Sequence, residues 1–212
     1  MRKIELLAIS TLIVAGLSIA ASAYATLPEF LPGNAGEKFT ASGGVGLLEI
    51  SALEKVSCLT STASGENVGT SKKEATATVT FKGCSAFGIA GAKSLGEAEG
   101  TIVAKVKLKL CYINKTNKEV GELTKISFPV HIEVAGKLLV VEGDQVSSIG
   151  PPNTKTKTYT LTYMEGTGKP DPEGCEGEKE HFVAAINEGA FKEAGEETTE
   201  TISYAAEQTL DA

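Results

Sequence analysis

The sequence predicts an all-β protein, an antiparallel β-sandwich or open barrel with long Gly/Pro-rich loops. Three observations lead there. Several segments alternate apolar and polar side chains with a period of two, the pattern of a strand with one buried and one wet face. Stretches rich in Gly, Pro, Ser and Glu separate them. No segment has the periodicity of a long amphipathic helix; at most a short helical turn is expected near Gly189 to Ala194.

In chain order, the first segment is "MRKIELLAISTLIVAGLSIAASAYA". Arg2 and Lys3 give it a positive start, Leu6 to Ala20 an apolar run, and Ala23-Tyr24-Ala25 the small-residue pattern a signal peptidase reads. Residues 1–25 are therefore expected to be a signal peptide, cleaved after Ala25, with no membrane span after cleavage. The expected location is secreted, extracellular. Residues 26–37 read as an irregular lead-in, and residues 38–212 as a single all-β domain, long enough to bury a sizeable core.

Strands are expected near residues 38–50 and 54–61. "EATATVTFK" then sets Ala75, Ala77, Val79 and Phe81 on one parity and Thr76, Thr78, Thr80 and Lys82 on the other. Threonine suits the wet face, because its β-branch favours extended backbone and its hydroxyl bonds water. In "TIVAKVKLKLCYI" the even positions from Ile102 to Leu110 face inward, and Lys105, Lys107 and Lys109 face out. "FPVHIEV" assigns Phe128, Val130, Ile132 and Val134 to the core and leaves His131 and Glu133 outside; Pro129 cannot donate to a ladder and marks an edge or bulge. A strand near 137–142 follows. "KTYTLTYM" buries Tyr159, Leu161 and Tyr163. After a strand near 181–187, "TETISYAAEQTL" buries Ile202, Tyr204 and Ala206. Loops are expected at 61–73, 85–100, 147–153 and 165–180.

Composition narrows the function more than any motif does. A formal net charge of −7 argues against a nucleic-acid partner, which needs a basic face. Four cysteines, Cys58, Cys84, Cys111 and Cys175, form an even set in an exported chain and read as two disulfides. Their spacing contains no zinc knuckle. Only two histidines occur, His131 and His181, and no G-x-S-x-G elbow accompanies them. Acidic residues gather in the 171–180 loop, at Asp171, Glu173, Glu176, Glu178 and Glu180, where hard oxygens could hold calcium, but without EF-hand spacing. No cofactor is expected, and no catalytic or metal-binding residue is assigned.

The run "LPEFLPG", "FTASGGVGLLE", "VSCLTSTASGE", "TVTFKGC" and "GEAEGTIV", continuing to "AFKEAGEETTET", resembles a group of secreted β-rich proteins of soil actinobacteria that has no established activity. The resemblance covers most of the chain after Ala25 and implies export and β architecture, without a site. It also bears on the cysteines. Similar proteins carry two cysteines near positions matching Ala92 and the Val130–Val134 stretch, which this chain lacks, and the resemblance therefore implies Cys58–Cys84 and Cys111–Cys175. A hairpin of 54–61 with 74–82 would oppose that pairing, because Cys58 would face residue 76 and leave Cys84 about 26 Å away. All three connectivities stay open from the residues alone.

The expected function is a secreted or cell-surface, non-enzymatic β-domain with a structural or binding role. Its expected partner is a protein or a cell-envelope component, with self-assembly through loops or one edge as a further option. The alternative is an exported hydrolase whose site is assembled from loops.

Overall fold

A computed structural model describes residues 28–51, 54–164, 174–176 and 181–212. The expected signal peptide and most of the acidic 171–180 loop lie outside these residues. The described chain is all-β. Its strands are β1 (Glu29–Leu31), β2 (Lys38–Gly43), β3 (Gly46–Ser51), β4 (Glu54–Cys58), β5 (Thr60–Asn67) and β6 (Glu74–Lys82). Three short ones follow, β7 (Ser85–Ala86), β8 (Ile89–Ala90) and β9 (Lys93–Ser94). Then come β10 (Thr101–Asn114), β11 (Glu119–Ile126), β12 (Val130–Val134), β13 (Lys137–Gly150) and β14 (Lys155–Met164). The last three are β15 (His181–Ile186), β16 (Lys192–Glu193) and β17 (Gly195–Asp211).

Eight of these strands close into an antiparallel barrel, in the order β2, β5, β6, β10, β11, β13, β14, β17 and back to β2. Closure removes the exposed edges that an open barrel would leave. The alternation in the sequence explains the wall. One inner row runs Tyr159, Ile202, Ala41, Ala63, Val79, Ala104 across six paired strands. Small Ala41, Ala63 and Ala104 share this row with the large Tyr159, the mix of sizes a small barrel needs if side chains are to fill it. The outer rows are hydroxyl-rich. Thr160, Thr201, Ser42, Thr62 and Thr80 stand side by side, and a second row runs Thr158, Ser203, Thr40, Ser64, Thr78.

The barrel shares its longest strands with a second layer. The first half of β13 pairs β12 on one side and β15 on the other, while its second half serves the barrel. The start of β17 likewise pairs β3, which continues to β4 and β7. Two main cores result. Phe30, Phe39, Tyr159 and Tyr204 pack together within the barrel core, with the Phe30 and Tyr159 ring centroids 5.0 Å apart. Val56, Ile132, Leu139, Val141 and Phe182 belong to the second core. A third, small cluster of Cys111, Leu123, Val146 and Cys175 includes side chains of the opposite parity on β11 and β13.

Both disulfides are present, Cys58–Cys84 and Cys111–Cys175. The geometric objection to the first pair disappears because the hairpin is longer than its composition suggests. Residues 61–67, expected in a loop, continue β5, and Thr60 pairs Lys82; two residues further, Cys58 and Cys84 come together.

Other expectations need correction. Phe128 is 72 % exposed rather than buried, because the chain bends at residues 127–129 and β12 begins only after Pro129. Residues 147–150 extend β13 instead of forming a loop. Ala206 is exposed, since an irregularity in β17 between Ser203 and Gln208 displaces it from the inward row. The 85–100 segment contains three short strands, and 189–194 carries β16 in place of a helical turn. The lead-in also contributes β1, paired with the end of β17. Buried Gln208 anchors this stretch, accepting from the Gly33 N–H at 3.1 Å and donating to Glu37 Oε1 at 2.6 Å.

Candidate functional site

The wall strands carry apolar inward residues over most of their length, but at the waist, where the two cores meet, they turn polar. On β17 the inward parity of Tyr204 and Ile202 continues backward to Glu200, Thr198 and Glu196. On β11 it brings Glu122 and Thr124 inward, and on β13 Gln145 and Ser147. Glu122, Gln145, Ser147, Thr198 and Glu200 are all buried, and Glu196 is partly so.

A polar network links part of this set. Ser61 Oγ donates to Glu200 Oε1 at 2.5 Å, and Gln145 Nε2 donates to Glu196 Oε2 at 2.6 Å. The hydroxyls of Thr124 and Tyr163 share a hydrogen bond at 2.6 Å. Ser147 Oγ donates to the Glu122 carbonyl at 3.3 Å. The network is incomplete: Glu122 Oε1, Gln145 Oε1 and Thr198 Oγ1 are buried without a hydrogen-bond partner.

Burial dominates the electrostatics. It pushes the Glu122 carboxyl up to about 8, with the Glu200 charge adding to the rise. Glu196 is pushed up to about 7 by burial, against the lowering effect of its Gln145 hydrogen bond. Glu200 is raised by burial and held back by Ser61, and Tyr163 is raised well above the usual phenol value by burial and then by Glu122. Taking a carboxylate out of water favours its neutral form, and neighbouring carboxyls reinforce that preference.

Beside this network lies a chamber of about 110 Å³. Val79, Val106 and Tyr163 reach it from the barrel wall, and Val56, Ile132 and Phe182 from the second core. Its polar lining is Thr124, Tyr163, Glu196 and Glu200. For scale, an apolar cavity of about 150 Å³ holds benzene. Apolar walls with a few converging polar groups are the usual makeup of a small-molecule site.

The histidines are not part of it. His131 pairs Val140 on one side of β13, and His181 pairs Asp144 on the other, its backbone N–H donating to Asp144 Oδ1 at 2.9 Å. The possible calcium loop lies outside the described residues except for Gly174, Cys175 and Glu176. Among the described residues no three His, Cys, Asp or Glu side chains are placed to hold a metal ion.

Sequence reasoning placed Tyr163 inside and missed the other polar residues of the waist. One signal was available: the parity that buries Ile202 and Tyr204, carried back along β17, reaches Glu200 and Glu196. Searches of protein-family models, of curated proteins and of solved structures return no match to this chain.

Proposed function

We propose that this protein is a non-catalytic binding module of the cell exterior that holds a small, largely apolar ligand in the waist chamber. The chamber itself carries the reading: about 110 Å³ bounded by apolar walls, with four polar side chains to orient a guest. Two disulfides are compatible with an oxidising compartment, and the Arg2-Lys3 start with Ala23-Tyr24-Ala25 supplies the export signal. A protein or cell-envelope partner would then meet the outer surface, where hydroxyl rows and loops are available for association.

Methyl NMR of the full chain, titrated with benzene, tests this. The expected result is saturable shifts confined to chamber methyls such as those of Val56, Val79, Ile132 and Val141. Shifts scattered over the surface, or none, would remove the chamber as a ligand site.

A further inference from the structure

Resting on that binding reading, the geometry points to a more specific guest: a small primary ammonium ion with a short apolar body, its charged end beside Glu196 and Glu200. The ion pairs Lys55–Glu49, Lys125–Asp144, Lys155–Glu207 and Lys192–Glu54 lie elsewhere. Glu200 and Glu196 instead take neutral donors, the Ser61 hydroxyl and the Gln145 amide. A carboxylate removed from water without a cation is costly, so such a group keeps its proton or gains a positive partner.

The unused hydrogen-bonding capacity has the matching sign. Just behind the lining carboxyls, Gln145 Oε1 and Thr198 Oγ1 are buried oxygens with accepting capacity to spare, Gln145 through its bond to Glu196, and a primary ammonium offers three donors and no acceptor. Thr198 stands between Glu196 and Glu200 on the inward face of β17. The rings of Phe81, Tyr163 and Phe182 also line the chamber, and aromatic faces attract a desolvated cation. A bare metal ion does not suit this arrangement, because the carboxyls do not converge as a coordination shell. The chamber volume limits the apolar body to a few carbons.

Ion pairing in the chamber has a linked proton. The titratable side chains around it are Glu196 and Glu200 on β17, Tyr163 on β14 and, adjoining, Glu122 on β11. An ammonium ion favours the ionised carboxyl, so whatever proton Glu196 or Glu200 holds leaves to solvent when the guest docks.

The experiment compares n-butylamine with 1-butanol, both titrated into the full chain at pH 7 and followed by methyl NMR and calorimetry. The expected result is binding of butylammonium at least tenfold tighter than butanol. In Glu200→Gln and, separately, Glu196→Gln, the preference should shrink towards unity while butanol binding persists. Calorimetry in two buffers of different ionisation heat should report proton release for the amine alone. Equal affinity for the two compounds, or a preference that survives both substitutions, would overturn the cation assignment and leave the chamber reading intact. Absence of binding by butanol, butylamine and benzene alike would overturn both.

Discussion

Ser61 on β5 donates to Glu200 on β17 across the intervening strand β2, and Gly43 is the residue between them. A Cβ at Gly43 would stand 2.4 Å from Ser61 Oγ and 3.0 Å from Glu200 Cγ, so this hydrogen bond exists because position 43 has no side chain. Gly43→Ala is expected to cost about 1–3 kcal/mol, through overpacking and a displaced Glu200 partner. The neighbouring Gly44→Ala serves as control, since a Cβ there meets nothing within 4 Å. Urea denaturation of both variants measures the difference; equal midpoints would show that the waist accommodates the methyl group freely.

Much of the barrel was legible in the sequence, and the waist was not, for one physical reason. Period-two alternation reveals a buried face only when that face is apolar. It placed Ala77, Val106, Leu161 and Ile202 correctly. It failed on β11, "EVGELTKI", where the inward residues beyond Val120 include Glu122 and Thr124 and the outward Leu123 is buried under the Cys111–Cys175 cluster. It failed again on the second half of β13, whose inward Gln145 and Ser147 resemble loop residues. Hydrophobic pattern therefore locates the core and conceals a site built from polar groups facing it.

Stability is expected to fall as pH rises from about 5 to about 8. The folded carboxyls of Glu122 and Glu196 are pushed from 4.5 to about 8 and about 7, and that of Glu200 is raised. Between the unfolded and folded values the native chain holds protons that the unfolded chain has lost. Their contribution is full below the unfolded value and disappears as pH passes through the folded one. At about 1.4 kcal/mol per pKa unit, the loss is on the order of a few kcal/mol. Glu54 works in the opposite direction, being lowered by its Lys192 hydrogen bond, but it titrates in the acid range below this window. Denaturation midpoints at pH 5 and pH 8 provide the measurement, and Glu122→Gln should flatten the slope. A midpoint that rises across this window would contradict the burial of the cluster.

The purified protein should show no thiol in denaturant without reductant, and peptide mapping should recover Cys58 with Cys84 and Cys111 with Cys175. Replacing either pair by alanine is expected to cost about 2–4 kcal/mol. The Cys111–Cys175 pair spans 64 residues against 26 for the other, so loop entropy favours the larger loss there. Its removal also takes two buried side chains from the small cluster over Leu123 and Val146. Crossed peptides would refute the topology around the hairpin of β5 and β6.

Two aromatic residues provide the sharpest contrast between pattern and position. Phe128 shares the parity of buried Val130 and Ile132, yet the bend ahead of β12 leaves its ring exposed, and Phe128→Ala should change stability by no more than about 0.5 kcal/mol. Tyr159 is 1 % exposed in the barrel core, and its hydroxyl donates to the backbone carbonyl of Gln208 at 2.7 Å. Removing only that oxygen, as Tyr159→Phe, leaves a carbonyl in an apolar setting without its side-chain donor and should cost about 1–3 kcal/mol. The effect should extend along the chain, because Gln208 also holds Gly33 and Glu37 of the lead-in. Hydrogen exchange should therefore quicken at Gly33 in Tyr159→Phe and stay unchanged in Phe128→Ala. A large loss of stability on truncating Phe128, with none on altering Tyr159, would mean that the bend at Pro129 is misplaced and the ring packs inward after all.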